Sequence, residues 1–410
     1  MSVVEREKVV RLEVLPGPAR KPSPSLVSPP PRPHEAAAPA RFVSLDALRG
    51  LIILCIIGGD GMALALRDMV AGQGVILRTL GAAIGAQFEH VPWEGVTFYD
   101  LIFPLFIFVT GVAIVFSLSR LVEREGKRAA YLRVIRRSLL LFALGVIFYG
   151  GFSREWPDIR LLGVLQRIAI CYLIASMLFL NLNMRGLLAV CATLLAGYWA
   201  LMTFVPVPGI GAGVFAPNAN LANWIDLNYL PGSKWAGTHD PEGLLSTLPA
   251  IATALIGVLG GLLLKETRLS PGQKSLWLIG AGLAMIGAGH LWSLQFPIIK
   301  AIWTSSFVLV AGGYSFILLG LFHHVVDVWG WRRWTTVLVW VGANAILVYF
   351  LNGIVGFERL AVRLVGGDVG LFLDRLVAPG AGRFVAHAVG LLLAILLAGY
   401  LYRRKIFLRV

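Results

Sequence analysis

Phe98-Tyr99-Asp100-Leu101-Ile102-Phe103-Pro104-Leu105-Phe106-Ile107-Phe108-Val109-Thr110-Gly111-Val112-Ala113-Ile114-Val115-Phe116-Ser117-Leu118-Ser119 is an apolar run whose one formal charge, Asp100, stands near its entrance. A run of roughly 20 such residues crosses the hydrocarbon core of a bilayer as a helix. It is continuous rather than alternating at period two, which argues against a barrel strand. Just upstream lies Glu89-His90-Val91-Pro92-Trp93-Glu94-Gly95. The chain therefore sets an imidazole, the side chain best suited to move a proton near neutral pH, at the mouth of a membrane helix.

Similar runs recur at 47–66, 136–152, 161–180, 185–205, 246–264, 274–290, 302–323, 335–355 and 383–402. Hydrophobic residues make up 57% of the 410 and charged residues 14%, where a soluble domain carries about 25% charged. The expectation is an all-α, polytopic membrane bundle of about ten transmembrane helices. Residues 61–89 and 356–382 mix apolar side chains with charges and read as interfacial or re-entrant pieces. Residues 1–40 contain Pro-Ser-Pro-Ser and Pro-Pro-Pro-Arg-Pro, which predicts an extended, proline-rich tail before a transmembrane domain at 41–410. No apolar core follows the early basic residues, so the tail does not read as a signal peptide.

The net charge of +14 comes with no groove-reading motif and is not read as nucleic-acid binding. Basic residues gather in the tail, in loop 120–128, in Lys265-Glu266-Thr267-Arg268, at Arg332-Arg333 and at Arg403-Arg404-Lys405. The charge bias predicts that this side, with both termini, is cytoplasmic. His90 and the long segment 206–245 then share the opposite side. Cys55, Cys171 and Cys191 lie inside apolar runs with no metal-ligand spacing, and no metal is expected.

Several polar residues stand out against this background. His90 suits a general base or an acyl carrier, given a carboxylate to set its tautomer. Glu89, Glu94, Asp100 and Asp60 are the candidates. Asp60 ends the first run. Arg49 follows Asp46 by three residues, on one helix face, where its guanidinium suits a phosphate. Gln166-Arg167 falls at hydrocarbon depth, where a guanidinium needs a partner or a polar cavity. His239-Asp240-Pro241-Glu242 puts a second imidazole and two carboxylates at a membrane mouth, with Glu242 expected in the first turn of a helix. Lys300 opens the eighth run. Asn344 is an amide expected to bond another helix. His323-His324 reads as a solvated loop end.

Five blocks in order resemble a family of membrane acyltransferases, the heparan-α-glucosaminide N-acetyltransferases and their bacterial relatives. They are Ser44-Leu45-Asp46-Ala47-Leu48-Arg49-Gly50, the segment from His90 to Gly111, that from Leu161 to Tyr172, that from Asp240 to Pro249, and that from Lys300 to Ser306. The resemblance implies an acetyltransferase of the bacterial inner membrane. Acetyl-CoA would be the cytosolic donor, and an amino sugar beyond the membrane the acceptor. His90 takes the place of the family's active histidine, as base or acetyl carrier, with Asp60 beside it. The reading assigns the CoA phosphates to Arg49, Arg167, Gln166 and other cytoplasmic-side basic residues. It assigns the acceptor to Trp93, Asp100, Asp240, Glu242 and Lys300. A homodimer is also implied. Three departures bear on the acceptor site: Asp60 and Glu94 stand where the family usually has Asn, and segment 61–89 is longer than expected. The competing expectation is a transporter of amino sugars or related solutes, which needs the same membrane-depth arginine and polar mouths. No internal repeat is visible to favour it.

Overall fold

The computed structural model describes residues 42–408; the proline-rich segment 1–40 lies outside the described residues. Among the described residues the regular elements are all helices, with only isolated β-bridges besides. Helix α1 (Val43–Leu54) passes through a π-helical stretch, Cys55–Gly59, into α2 (Asp60–Val70) as one apolar rod of 28 residues. Helix α3 (Val75–Gln87) folds back on α2, and leaves Val75 and Ile76 exposed. The 61–89 segment is thus a helical hairpin that ends just before His90.

The long α4 (Ile102–Phe148) is interrupted at Gly126, where φ is 82° and ψ 171°. An unbroken helix would set Phe106 and Leu141 about 50 Å apart, yet both line one cavity. The chain therefore reverses at Gly126, a backbone conformation open to glycine. Two spans emerge with no loop of the kind expected at 120–128.

Helices α5 (Val164–Asn181), α6 (Met184–Phe204), the short α7 (Leu221–Tyr229), α8 (Thr247–Lys265), α9 (Pro271–Ser293) and α10 (Ser305–Phe322) follow. Helix α8 is the most enclosed span. It meets the first arm of α4 through glycines: a Cβ added at Gly257 would lie 2.0 Å from the carbonyl oxygen of Phe108. Such small-residue contacts bring backbones together where no hydrophobic force separates helix from lipid.

Helices α11 (Thr336–Ala343) and α12 (Ala345–Val355) form one span bent by 67° at Asn344. The Asn344 side chain bonds backbone groups of Ile406 and Leu408 beyond the last helix, so it fixes the chain end at the break. Helices α13 (Phe357–Val365) and α14 (Asp368–Leu376) fill 356–382 as two short amphipathic pieces before α15 (Ala381–Arg403). Among the described residues eight segments are long and apolar enough to span, nine with the bent pair. Counting the α4 arms apart accounts for all ten runs. One expectation is corrected: His323 is buried, not solvated, and faces Asp327 at 3.3 Å.

Candidate active site

Asp100 organises the site. Its side chain folds back over the turn that precedes α4: the Asp100 Oδ2 atom accepts from the Thr97 amide at 3.1 Å and from its hydroxyl at 3.0 Å. The other oxygen, Oδ1, is left for chemistry. It lies 2.7 Å from Nδ1 of His90 and 3.0 Å from Nζ of Lys300. Asp100 is fully buried, while the His90 side chain is 54% exposed. Lys300 Nζ also lies 3.0 Å from His90 Nδ1.

The loops that carry these groups are stitched together. Glu94 pairs with Ile299 in a β-bridge, and the Gly95 amide donates to the Ile298 carbonyl at 2.9 Å. Three residues past Lys300, buried Trp303 holds a positive φ of 54°. That left-handed geometry is unfavourable for a bulky residue and persists only when its surroundings enforce it. Here Trp303 Nε1 donates to Thr253 at 3.1 Å, and the Thr304 side chain caps α10. Lys300 is thereby turned inward rather than towards the membrane edge. Burial pulls its pKa down, while the Asp100 charge and hydrogen bond pull it up.

A second cluster faces the same cavity. Arg160 grips Asp240 in a fork, Nε to Oδ2 at 2.8 Å and Nη2 to Oδ1 at 2.6 Å, and Nη2 reaches Glu242 at 2.7 Å. Its guanidinium lies over the rings of Tyr149 (4.3 Å) and Trp235 (5.1 Å). Burial opposes the Arg160 charge, but the Asp240 bond and neighbouring groups outweigh it and raise its pKa. Asp240 is the mirror case: burial pushes it up, the Arg160 bond and charge pull it down further, and the net shift is downward. Burial dominates at Glu242 and pushes its carboxyl up to about 7.

His90, Trp93, Asp100, Glu242 and Lys300 line one cavity of about 680 Å³ together with Arg160. Asp240 sits behind its wall, holding Arg160. Trp93 is fixed by its indole N–H, which donates to the Phe215 carbonyl at 2.9 Å. Asp60 is not the partner of His90. It accepts from the Tyr99 hydroxyl at 3.0 Å, and the Tyr99 ring lies 4.9 Å from the imidazole, so Asp60 touches His90 only through Tyr99. Glu89 is taken by Arg67 at 2.6 Å. Glu242 precedes α8 in a turn instead of starting it.

Arg49 lines a different cavity, of about 420 Å³, with Arg133, Arg136 and Arg137. The structure does not bring Arg167 or Gln166 there. Arg167 is fully buried, with Nη2 at 2.5 Å from the Ser246 hydroxyl and its guanidinium 5.0 Å from the Trp303 ring. Gln166 turns towards the Arg160 carbonyl at 3.4 Å. Both sit in the wall behind the His90 cavity, where Nη2 of Arg167 finds the Ser246 hydroxyl and the Gly243 carbonyl as acceptors. Arg160 itself was missed by sequence. The signal was present: a cation just before the run at 161, and two carboxylates at another mouth in need of a counter-ion.

A small apolar cavity lies between the two larger ones. It shares Phe106, Ile168 and Ile346 with the basic cavity, and Ile56, Phe103, Val164 and Tyr349 with the His90 cavity. The three form a row through the bundle. The middle one, about 20 Å³, holds little more than one water.

The comparisons with known proteins meet this geometry. A family profile, Domain of unknown function (DUF5009), matches residues 41–190. Human heparan-alpha-glucosaminide N-acetyltransferase is 26% identical over 435 aligned residues, which cover 92% of this chain and 61% of the human protein. The mouse protein of that name is 27% identical over 383, covering 79% and 56%. The chain is a homologue of heparan-alpha-glucosaminide N-acetyltransferase. It spans about three fifths of the length of these relatives. The part aligned with the human protein takes in most of the chain.

Proposed function

We propose that the protein is a membrane acetyltransferase that moves the acetyl group of acetyl-CoA to the amino group of a sugar on the other side of the bilayer. The observation that carries this reading is the row of cavities: cations at one end, an apolar throat, and His90 with Asp100 at the other. Arg49, Arg133, Arg136 and Arg137 suit the phosphates of CoA, since guanidinium groups match phosphate geometry. The thioester arm would lie in the throat, whose side chains must part to admit it. In this reading Nδ1 of His90 faces Asp100, and Nε2 is left for the acceptor amine, to take its proton or to carry the acetyl group. Trp93, Glu242 and Lys300 stand around the acceptor. The basic end would face the cytoplasm of a bacterial cell with both termini. The tail 1–40 would be dispensable, and the enzyme would work as a homodimer.

The test is transfer of radiolabel from acetyl-CoA to glucosamine by purified protein in detergent, wild type beside His90→Ala. Transfer that disappears in the variant while thermal stability holds supports the reading. No CoA release from wild type with any amino sugar would overturn it. One feature favours transport as the second reading: the broken span α11–α12 lines the basic cavity at Asn344, and discontinuous helices often build transporter sites. Amino-sugar uptake into vesicles by His90→Ala protein, without CoA turnover, would decide for it.

A further inference from the structure

The contact between Lys300 and His90 has a role that positioning alone does not require. Nδ1 of His90 has room for one proton, yet two groups meet it: Asp100 Oδ1 at 2.7 Å and Lys300 Nζ at 3.0 Å. If Nδ1 carries its proton towards Asp100, an ammonium at Nζ turns a second hydrogen into the same contact. A neutral amine relieves this, because its lone pair can accept. We propose that Lys300 is a proton relay for His90, its Nζ taking the Nδ1 proton as Nε2 takes the proton of the acceptor amine. This rests on the acetyltransferase reading.

The acetyl C–S bond breaks and the C–N bond forms. Sulfur keeps the bonding pair and takes a proton from water on its own side. The amine proton passes to Nε2, and the Nδ1 proton passes to Nζ, so the imidazole never holds both. The ring is reset when Nζ returns a proton to Nδ1 and Nε2 releases its own to water at the cavity mouth. Lys300 is equipped for this: its side chain is 21% exposed at the cavity, and burial lowers its pKa towards a state that can accept. The groups that face the pair are Asp100 beneath, the Tyr99 ring beside it with Asp60 behind, and Glu242 on the opposite wall. Glu89 is neutralised by Arg67.

Arginine separates a relay from a fixed charge. It can hold Asp100 but does not give up or accept a proton at working pH. The first measurement needs neither CoA nor sugar. Carbethoxylation of His90 by diethylpyrocarbonate, followed by mass spectrometry on the intact chain in detergent, also makes the ring cationic unless the Nδ1 proton leaves. Lys300→Arg and Lys300→Ala are each expected to react at least about a hundredfold more slowly than wild type, the low end of one proton-transfer contribution. In the acetyl-transfer assay Lys300→Arg is expected to be as impaired in kcat as Lys300→Ala. Added ethylamine should restore N-acetylglucosamine formation by Lys300→Ala but not by Lys300→Arg. Wild-type behaviour of Lys300→Arg in either assay would overturn the relay and leave Lys300 a positioning charge. If wild type transfers no acetyl group while the carbethoxylation result holds, the acetyltransferase reading falls and the relay stands.

Discussion

At the His90 end of the bundle, Asp240 and Glu242 each lie within 3.0 Å of the Arg160 guanidinium, and Asp100 lies that close to both His90 and Lys300. At the other end, Arg133, Arg136 and Arg137 border a cavity of about 420 Å³ with no ion pair to any of them among the described residues. Paired, buried charges fix geometry; they are strongly destabilising only when one partner is lost. Cations that keep no carboxylate retain their full attraction for an arriving anion. One end therefore holds atoms in register, and in the proposed reading the other receives a charged ligand.

The largest effect is expected from breaking the pairing. Arg160→Ala leaves Asp240 and Glu242 buried without their counter-ion, which costs about 3–5 kcal/mol. Thermal unfolding in detergent should show a fall in Tm together with lost activity. Arg160→Lys should recover only part, since an ammonium cannot reproduce the fork. An unchanged Tm in Arg160→Ala would mean that the cluster is solvated and the contrast between the two ends is false. Next comes His90→Ala, where a half-exposed side chain is removed without leaving an unpaired buried charge, because Lys300 can take up a proton beside Asp100. Acetyl transfer is expected to fall by roughly 10²–10⁴, with Tm unchanged.

The receiving end should respond differently. Arg133→Ala with Arg136→Ala is expected to raise KM for acetyl-CoA by about tenfold, the scale of one lost charge-assisted bond. KM for the sugar should stay constant. Added salt should weaken wild-type binding in the same direction, because exposed charges are screened. Equal changes in both KM values would place the thioester and the sugar in one cavity and undo the distinction between the ends.

The fold was legible because its main signal is covalent and local. Runs such as 98–119 declare a span without reference to any neighbour, and the helices follow them. Gly126 was not legible: nothing in one sequence marks which glycine turns the chain. The site was half legible. His90, Trp93, Asp100, Glu242 and Lys300 announce themselves as polar residues at membrane mouths, and the structure gathers them in one cavity. Their pairing was out of reach, because it depends on the bridge between Glu94 and Ile299, some 200 residues apart in sequence. For the same reason sequence could not choose among Glu89, Glu94, Asp100 and Asp60 as the partner of His90; Tyr99 stands between His90 and Asp60. Arg167 looked like a ligand for phosphate, but in the fold it supports the turn at Gly243 and Ser246.

The smallest expected effect tests whether pairing at the His90 end is complete. Glu242 shares Arg160 with Asp240, and burial wins at Glu242: its carboxyl is pushed from 4.5 to about 7, against the pull of Arg167 and Arg160. Below pH 4.5 the folded and unfolded chains both hold this proton. Between 4.5 and about 7 the unfolded chain gives it up while the folded chain keeps it, so the contribution of Glu242 to stability falls as pH rises. Above about 7 both have lost it and the contribution is level. His239 works in the opposite sense just below 6.5, because burial lowers its pKa and the unfolded chain takes up the proton first. A wild-type Tm curve mixes the two. The informative quantity is the difference between Glu242→Gln and wild type, since glutamine cannot ionise and His239 is common to both. That difference should grow in favour of Glu242→Gln from pH 4.5 to about 7 and then stay flat. A difference that does not vary across this window would mean that Glu242 is as fully paired as Asp240, and that Arg160 neutralises two carboxylates rather than one.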